Sequence, residues 1–363
     1  MGLLTIDLKA VRENYRTLKA LADKGCEVGA VVKAESYGLG AAKVSDALYK
    51  EGCRTFFIAK AHEIESLTDL AADTRVIVLN GYDPDYASLY ATHQMIPTLG
   101  SLYEVEAYQS HQDLKHKPCF LKFCTEMNRA GLDKDEREAI LADPSVLEGL
   151  DLKGLMAHFA CADEPEHPMT EEQYGTYSAI VTAFEEQYDG LERSLSNSFG
   201  MFRDDKYHFD LARPGMSLYG LNPTPYKKDN PMKRVVDLKL SVIRTRLIPK
   251  GEFTGYGATY RFEKDTPVAL LSSGYADGIY RTLSNKGKVF WNGVACPIRG
   301  RVSMDMIVVD LSDVPEADRP QAGQMMELIG PHQDADALAD VAGTIGYEIL
   351  TSLGDRYKRI YLD

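Results

Sequence analysis

Between about residue 5 and residue 220 the chain alternates two patterns. Short runs of β-branched, aliphatic and aromatic residues are followed by longer stretches whose apolar positions recur every three to four residues. The runs are Val28–Lys33, Thr55–Ala59, Arg75–Leu79, Met95–Thr98, Cys119–Phe123, Leu152–Phe159, Arg193–Ser196 and Phe209–Ala212. Unbroken apolar character over four to six residues suits a strand buried on both faces, whereas recurrence at 3.6 residues marks one face of a helix. The clearest helical stretch is Glu171–Tyr188, with Tyr174, Tyr177, Val181, Phe184 and Tyr188 on one side. A further amphipathic helix, Asp7–Leu21, precedes the first run. Eight strand-like runs separated by helices predict a parallel (β/α)8 TIM-like barrel over residues 1–225.

Beyond about residue 230 the helical spacing gives way to short strands separated by turn residues. These are Leu238–Leu247, Thr266–Leu271, Lys288–Trp291, Ile298–Arg301, Met306–Leu311 and Gln324–Ile329. They predict a mainly β C-terminal domain over residues 234–363. The intervening Asn222–Lys233 (NPTPYKKDNPMK) is rich in Pro, Asn and Lys and reads as a linker.

Composition narrows the partners. The 363 residues carry 41 basic and 54 acidic side chains, a net charge of −13. That sign repels phosphate backbones and anionic lipid, which argues against nucleic-acid and membrane partners. The opening MGLLTIDLKAVRENY lacks a basic segment leading into an apolar core. The six cysteines form no CxxC pair. Both features predict a reduced, cytoplasmic protein. His158, His167, Asp163 and Glu164 cluster in sequence but match no common ligand spacing, so no metal is expected.

Barrel geometry directs attention to the ends of strands, where βα loops begin. Lys33 ends the first run, in VVKAESYGLG. A lysine closing an apolar strand either extends its head group to solvent or does chemistry, and taken alone the former is the commoner case. The surrounding residues decide between them. KAESYGLG at Lys33–Gly40 resembles the pyridoxal-phosphate (PLP) lysine motif of alanine racemases, usually KANAYGHG. The resemblance continues in order through LKFCTEMNRAGL (Leu121–Leu132), AHFACADE (Ala157–Glu164), SNS (Ser196–Ser198) and RPGMSLYG (Arg213–Gly220). It then runs through GYGATY (Gly255–Tyr260), GYADGIYR (Gly274–Arg281), GRVSMD (Gly300–Asp305) and GTIGYEIL (Gly343–Leu350). Nine ordered blocks cover nearly the whole chain, and that family joins a PLP-binding barrel to a C-terminal β domain.

The resemblance implies a chemistry that these residue types can support. Removing an α-proton from an amino acid needs a cofactor that spreads the carbanion, and inverting the centre needs one base on each face. By resemblance Lys33 carries PLP and serves the D-face, while Tyr256 serves the L-face. A phenol near its ordinary pKa of about 10 is a poor base at neutral pH and needs cationic or hydrogen-bonding neighbours. The family places His158 and Arg213 there. Arg213 would face the cofactor's ring nitrogen, and a guanidinium cannot accept that proton, so the ring would stay neutral. The phosphate would be held by Tyr37, Ser198, Gly215, Met216 and Tyr347. Arg129 would bond the cofactor's phenolic oxygen and, with Met304, the substrate carboxylate. Lys122 is carbamylated in many members and orients that arginine. Met304, Asp305, Tyr256 and Tyr275 match residues that enter the neighbouring site in a head-to-tail homodimer. The implied substrate is alanine and the implied role is D-alanine supply for peptidoglycan or alanine catabolism.

Five residues depart from the usual motifs: Glu35 for Asn, Leu39 for His, Cys124 and Glu126 for Asp and Gly, and Ser303 for Cys. Glu126 stands three residues before Arg129 and could pair with it or shift preference toward serine or lysine. A same-fold PLP decarboxylase remains as an alternative, although such enzymes use a glycine-rich phosphate loop and a glutamate at the ring nitrogen. A carrier built on the barrel alone would lack GYGATY and the β domain.

Overall fold

The computed structural model describes residues 2–67 and 70–363. Contacts divide it into two compact units, one comprising Val11–Leu218 with Asn222–Lys233, the other Met1–Ala10, Tyr219–Leu221 and Arg234–Asp363.

The first unit is the predicted barrel. Strands Ala30–Val31, Thr55–Ile58, Arg75–Val78, Ile96–Leu99, Pro118–Lys122, Asp151–Met156 and Glu192–Ser194 form one parallel sheet in sequence order. An eighth strand, Leu211–Ala212, pairs in parallel with Glu27–Val28. Asp210 N–H donates to Arg193 C=O and Arg213 N–H to Ser196 C=O, at 3.0 and 2.9 Å, which joins the eighth strand to the seventh and closes the ring. Phe56, Phe57, Phe120, Leu121 and Leu155 are fully buried, as strands covered on both faces require. The first run is not one strand. It breaks at Gly29, where a Cβ would stand 2.6 Å from the Phe57 ring and 3.0 Å from Thr55 O. The helix Met169–Glu185 buries Tyr177, Ile180, Val181 and Phe184, and the phenol of Tyr177 donates to Leu155 C=O at 2.7 Å.

Two features of the domain boundaries differ from the sequence reading. Residues 222–233 pack with the barrel, because the buried Asn14 amide donates to Leu218 C=O and Lys233 C=O while its oxygen accepts from Lys233 N–H. The N-terminal residues belong to the other unit. Leu3–Asp7 pairs antiparallel with Val236–Ile248 and parallel with Lys358–Leu362.

In that second unit the long strand Val236–Ile248 shifts register between Val242 and Arg244 and so pairs with both Met325–Ile329 and Thr266–Leu271. Through Ile307–Asp310, Val294–Arg299 and Lys288–Trp291 the sheet returns to its start as a closed antiparallel ring. Two helices, Ala335–Ala342 and Gly346–Thr351, precede the last strand.

Candidate active site

Lys33 follows the first barrel strand, Ala30–Val31, with Val32 between them, rather than ending it as the sequence suggested, and the backbone after it is unusual. Ala34, Glu35, Ser36 and Tyr37 have φ of 51, 56, 52 and 58°, a full left-handed turn built without glycine. Each such residue costs about 1–2 kcal/mol, so surrounding contacts must hold the turn. Ser36 N–H bonds Val32 C=O at 2.9 Å and Gly40 N–H bonds Glu35 C=O at 2.8 Å. The phenol of Tyr37 is buried against Gly215, where a Cβ would stand 2.4 Å from its Oη. Burial raises the Tyr37 pKa, so the phenol is neutral.

The ends of later strands bring further groups to the same unit. Arg213 is buried and donates to Ser194 Oγ (2.5 Å), Ala157 C=O (2.6 Å) and Leu195 C=O (3.4 Å), with His158 Nδ1 at 3.3 Å. Every one of these partners is neutral, and burial brings the guanidinium down to about 10. Ser194 is itself fixed, its Oγ donating to Leu211 C=O at 2.5 Å. His158 is lowered well below its ordinary value by burial, then by the charges of Arg213, Arg129, Lys122 and Lys33. It therefore stays neutral with Nδ1 free to accept.

Lys122, at the end of the fifth strand, donates to Leu79 C=O at 2.8 Å. Burial, together with Arg213 and Arg129, depresses it to about 8, against a smaller opposing effect of Glu104. Lys33 is lowered by burial and by Arg129, with Glu63 opposing. The charges of Lys33, Lys122, Arg129 and Arg213 all act on the His158 ring. Ser198 lies beside them: its buried Oγ accepts from Gly215 N–H (3.0 Å) and Ser217 N–H (3.4 Å) and lies 2.9 Å from Ser217 Oγ. Met216 is buried directly after Gly215.

Arg129 sits in an exposed loop shaped by Glu126 and Asn128, both at positive φ (70° and 52°), and by the Cys124 sulfur, which accepts from Asn128 N–H at 3.3 Å. Among the described residues Glu126 makes no ion pair with Arg129, in contrast to the pairing its position in sequence suggests. His167 is also accounted for, its Nδ1 accepting from Met169 N–H at the start of a helix.

The remaining sequence candidates lie on the second unit. Tyr256 is 72 % exposed in a tight turn, with Arg301 beside it: a Cβ on Gly257 would stand 2.7 Å from the guanidinium. Tyr275 N–H and Ala276 N–H donate to Ser303 C=O and Met304 C=O, both at 3.0 Å, which sets Tyr275 and Met304 side by side. Asp305 pairs with Arg356 at 2.8 Å. Tyr347 is half-buried on the helix Gly346–Thr351. Sequence reasoning missed Ser194 and Glu63, which lie outside every motif, and Arg301, which lies within GRVSMD but was given no role; each acts on groups distant in the chain.

Residues 6–223 match the alanine racemase N-terminal domain and residues 235–361 the alanine racemase C-terminal domain. The chain belongs to the alanine racemase family. An alanine racemase of Rickettsia akari is 42% identical over 363 residues, covering 99% of both chains. A catabolic alanine racemase of Agrobacterium fabrum is 43% identical, covering 99% of this chain and 92% of its own. Among solved structures, alanine racemase from Bartonella henselae with covalently bound pyridoxal phosphate superposes with a TM-score of 0.93 at 38% identity over 99% of both chains. The biosynthetic alanine racemase of Pseudomonas aeruginosa gives 0.91 at 33% identity, covering 100% of this chain and 99% of its own.

Proposed function

We propose that this racemase interconverts L- and D-alanine with PLP carried on Lys33. The supporting observation is the buried guanidinium of Arg213, bonded among the described residues to neutral acceptors. A buried cation without a carboxylate suits an electron-rich neutral acceptor such as an unprotonated ring nitrogen and disfavours the carboxylate arrangement of the decarboxylases. Ser198, whose Oγ accepts from Gly215 N–H, would hold the phosphate together with Gly215, Met216, Tyr37 and Tyr347. When bound, PLP supplies the electron sink that makes the substrate's Cα proton removable.

The protein's own groups then move one proton. Lys33 Nζ, depressed by burial and by Arg129, holds or releases a proton on one face of Cα. Tyr256 Oη does the same on the opposite face, so a proton taken by one base is matched by a proton given by the other. Arg213, fixed by Ser194, Ala157 and the neutral His158, would face the cofactor's ring nitrogen and leave it unprotonated. Arg129 and the backbone near Met304 hold the substrate carboxylate, and Lys122, carbamylated, would fix Arg129. The exposed cluster of Tyr256, Tyr275, Met304 and Met306 supports a head-to-tail homodimer in which a second copy covers it, with Asp305 in the same loop. Six cysteines without a disulfide support a cytoplasmic location. Relatives named catabolic and biosynthetic leave both cell-wall supply and alanine catabolism open as roles.

The test is direct. The purified protein should take up PLP with a visible absorbance band and abolish the optical rotation of L-alanine. Serine and lysine as competing substrates define its range. A colourless protein that leaves L-alanine unchanged in the presence of PLP would refute the assignment.

A further inference from the structure

One carboxylate outside every motif connects two βα loops of the barrel. Glu63 lies on the short helix Ala61–Ser66 that follows the second strand. Its Oε2 accepts from Ala59 N–H (2.7 Å) and Lys60 N–H (3.4 Å), an ordinary use of a carboxylate at the start of a helix. Its Oε1 does something different. It accepts from Ala34 N–H at 3.1 Å, the first amide of the left-handed turn and the one adjoining Lys33. The turn answers in the opposite direction: Glu35 accepts from Ala41 N–H at 3.1 Å and bonds the hydroxyl of Ser66, at the other end of the same helix.

We propose that Glu63 is a positioning residue for Lys33, fastening the left-handed turn that begins at Ala34 to the loop after the second strand. Glu35 is the second arm of this clasp. The strain of four consecutive left-handed residues explains the need, because such backbone persists only where surrounding bonds over-determine it. A helix cap alone would engage Ala59 and Lys60 and leave Ala34 unbonded. Charge points the same way. The groups that face Lys33 are Arg129, Lys122, His158 and Glu63, and Glu63 is the carboxylate among them. Its removal leaves the Lys33 amine among cations, lowering its basicity further.

The inference rests on the reading of Lys33 as the cofactor lysine, and the test separates the two. Trace acetylation of the cofactor-free full chain across neutral and alkaline pH, read at Lys33 by mass spectrometry, follows the titration of that amine without any catalysis. Glu63→Gln should lower its midpoint by about half a unit or more. In the loaded enzyme the same variant should lower kcat by at least ~10-fold while KM for alanine stays within about 2-fold. Glu65→Gln, an exposed neighbour on the same helix, serves as the control and should match wild type. Glu63→Asp keeps the charge but is one methylene short of Ala34. It should restore the midpoint yet speed amide exchange in the segment Lys33–Gly38, and it carries the test should Glu63→Gln not fold. Unchanged titration and kcat in Glu63→Gln, with only a lower melting temperature, would reduce Glu63 to a helix cap. So would unchanged exchange in Glu63→Asp. A Lys33→Ala protein that still binds PLP covalently would instead overturn the cofactor assignment, and leave the labelling result standing.

Discussion

At the scale of single residues, the barrel's C-terminal face is dominated by positive charge that burial makes costly. Lys122 is one such case, held at about 8 against an ordinary 10.5. Because its folded pKa lies below its unfolded one, the unfolded chain binds more protons between those values, and stability rises with pH across that window. Below about pH 8 the penalty is fully present; above about 10.5 it is gone. Buried cysteines such as Cys53 and Cys119, pushed up to about 12, act with the opposite sign above their ordinary pKa of 9.0. The informative quantity is therefore the difference between wild type and Lys122→Met. In degassed buffer, chemical denaturation should show the difference shrink or grow by on the order of 1–3 kcal/mol between pH 8 and 10.5, in the sense that only wild type gains. Equal slopes would mean that Lys122 is already neutral or masked, as a persistent carbamate would make it.

At the scale of elements, one contact joins the turn after the first strand to the loop after the eighth. Gly215 lies so close to the Tyr37 phenol that an added Cβ would stand 2.4 Å from Oη and 3.2 Å from Val31 Cβ. Gly215→Ala should push Tyr37 and its strained turn outward, costing about 1–3 kcal/mol in stability. PLP affinity, followed by absorbance titration, should fall by ~10-fold or more if about 1.4 kcal/mol of that is lost on binding. Unchanged affinity would detach this contact from the phosphate site. Strands such as Thr55–Ile58 and Pro118–Lys122 were legible because a strand buried on both faces is largely apolar, whereas Glu192–Ser194, polar and half-buried, gave a much weaker signal. The break at Gly29 was not legible, since it depends on Phe57 and Thr55 pressing in from the next strand. Nor was the left-handed turn, because Ala34–Tyr37 contain no glycine to announce positive φ. Leu3–Asp7 alternates in burial as an ordinary strand does, but its partners lie more than two hundred residues on, and local pattern says nothing of them. The motifs pointed to Lys33, Arg213 and Tyr256, whereas Ser194 and Glu63 matter only through groups brought near by folding, the Arg213 guanidinium and the Ala34 amide. Glu126 occupies a left-handed position, which explains why glycine is usual there and removes the ion pair its sequence position suggested.

At the scale of the whole molecule, the candidate groups are divided between the two units. The barrel unit holds the amine, the two arginines and the neutral histidine, while the second unit holds Tyr256, Tyr275 and Met304 on an exposed surface. Exposed apolar and phenolic side chains gathered on one loop cluster are what a second subunit would cover. If the phenol acting on a given Lys33 comes from another copy, two inactive proteins must repair each other. In a dimer of one Lys33→Ala chain and one Tyr256→Ala chain, one site receives an intact lysine and an intact tyrosine, and the other receives neither. Refolded as an equal mixture, half of the dimers would be mixed, and activity should return to about a quarter of wild type per chain. Each variant alone should be inactive while remaining folded, as circular dichroism can check. A mixture as inactive as its components would place both bases on one chain, and the two-base scheme would then have to be drawn within a single subunit.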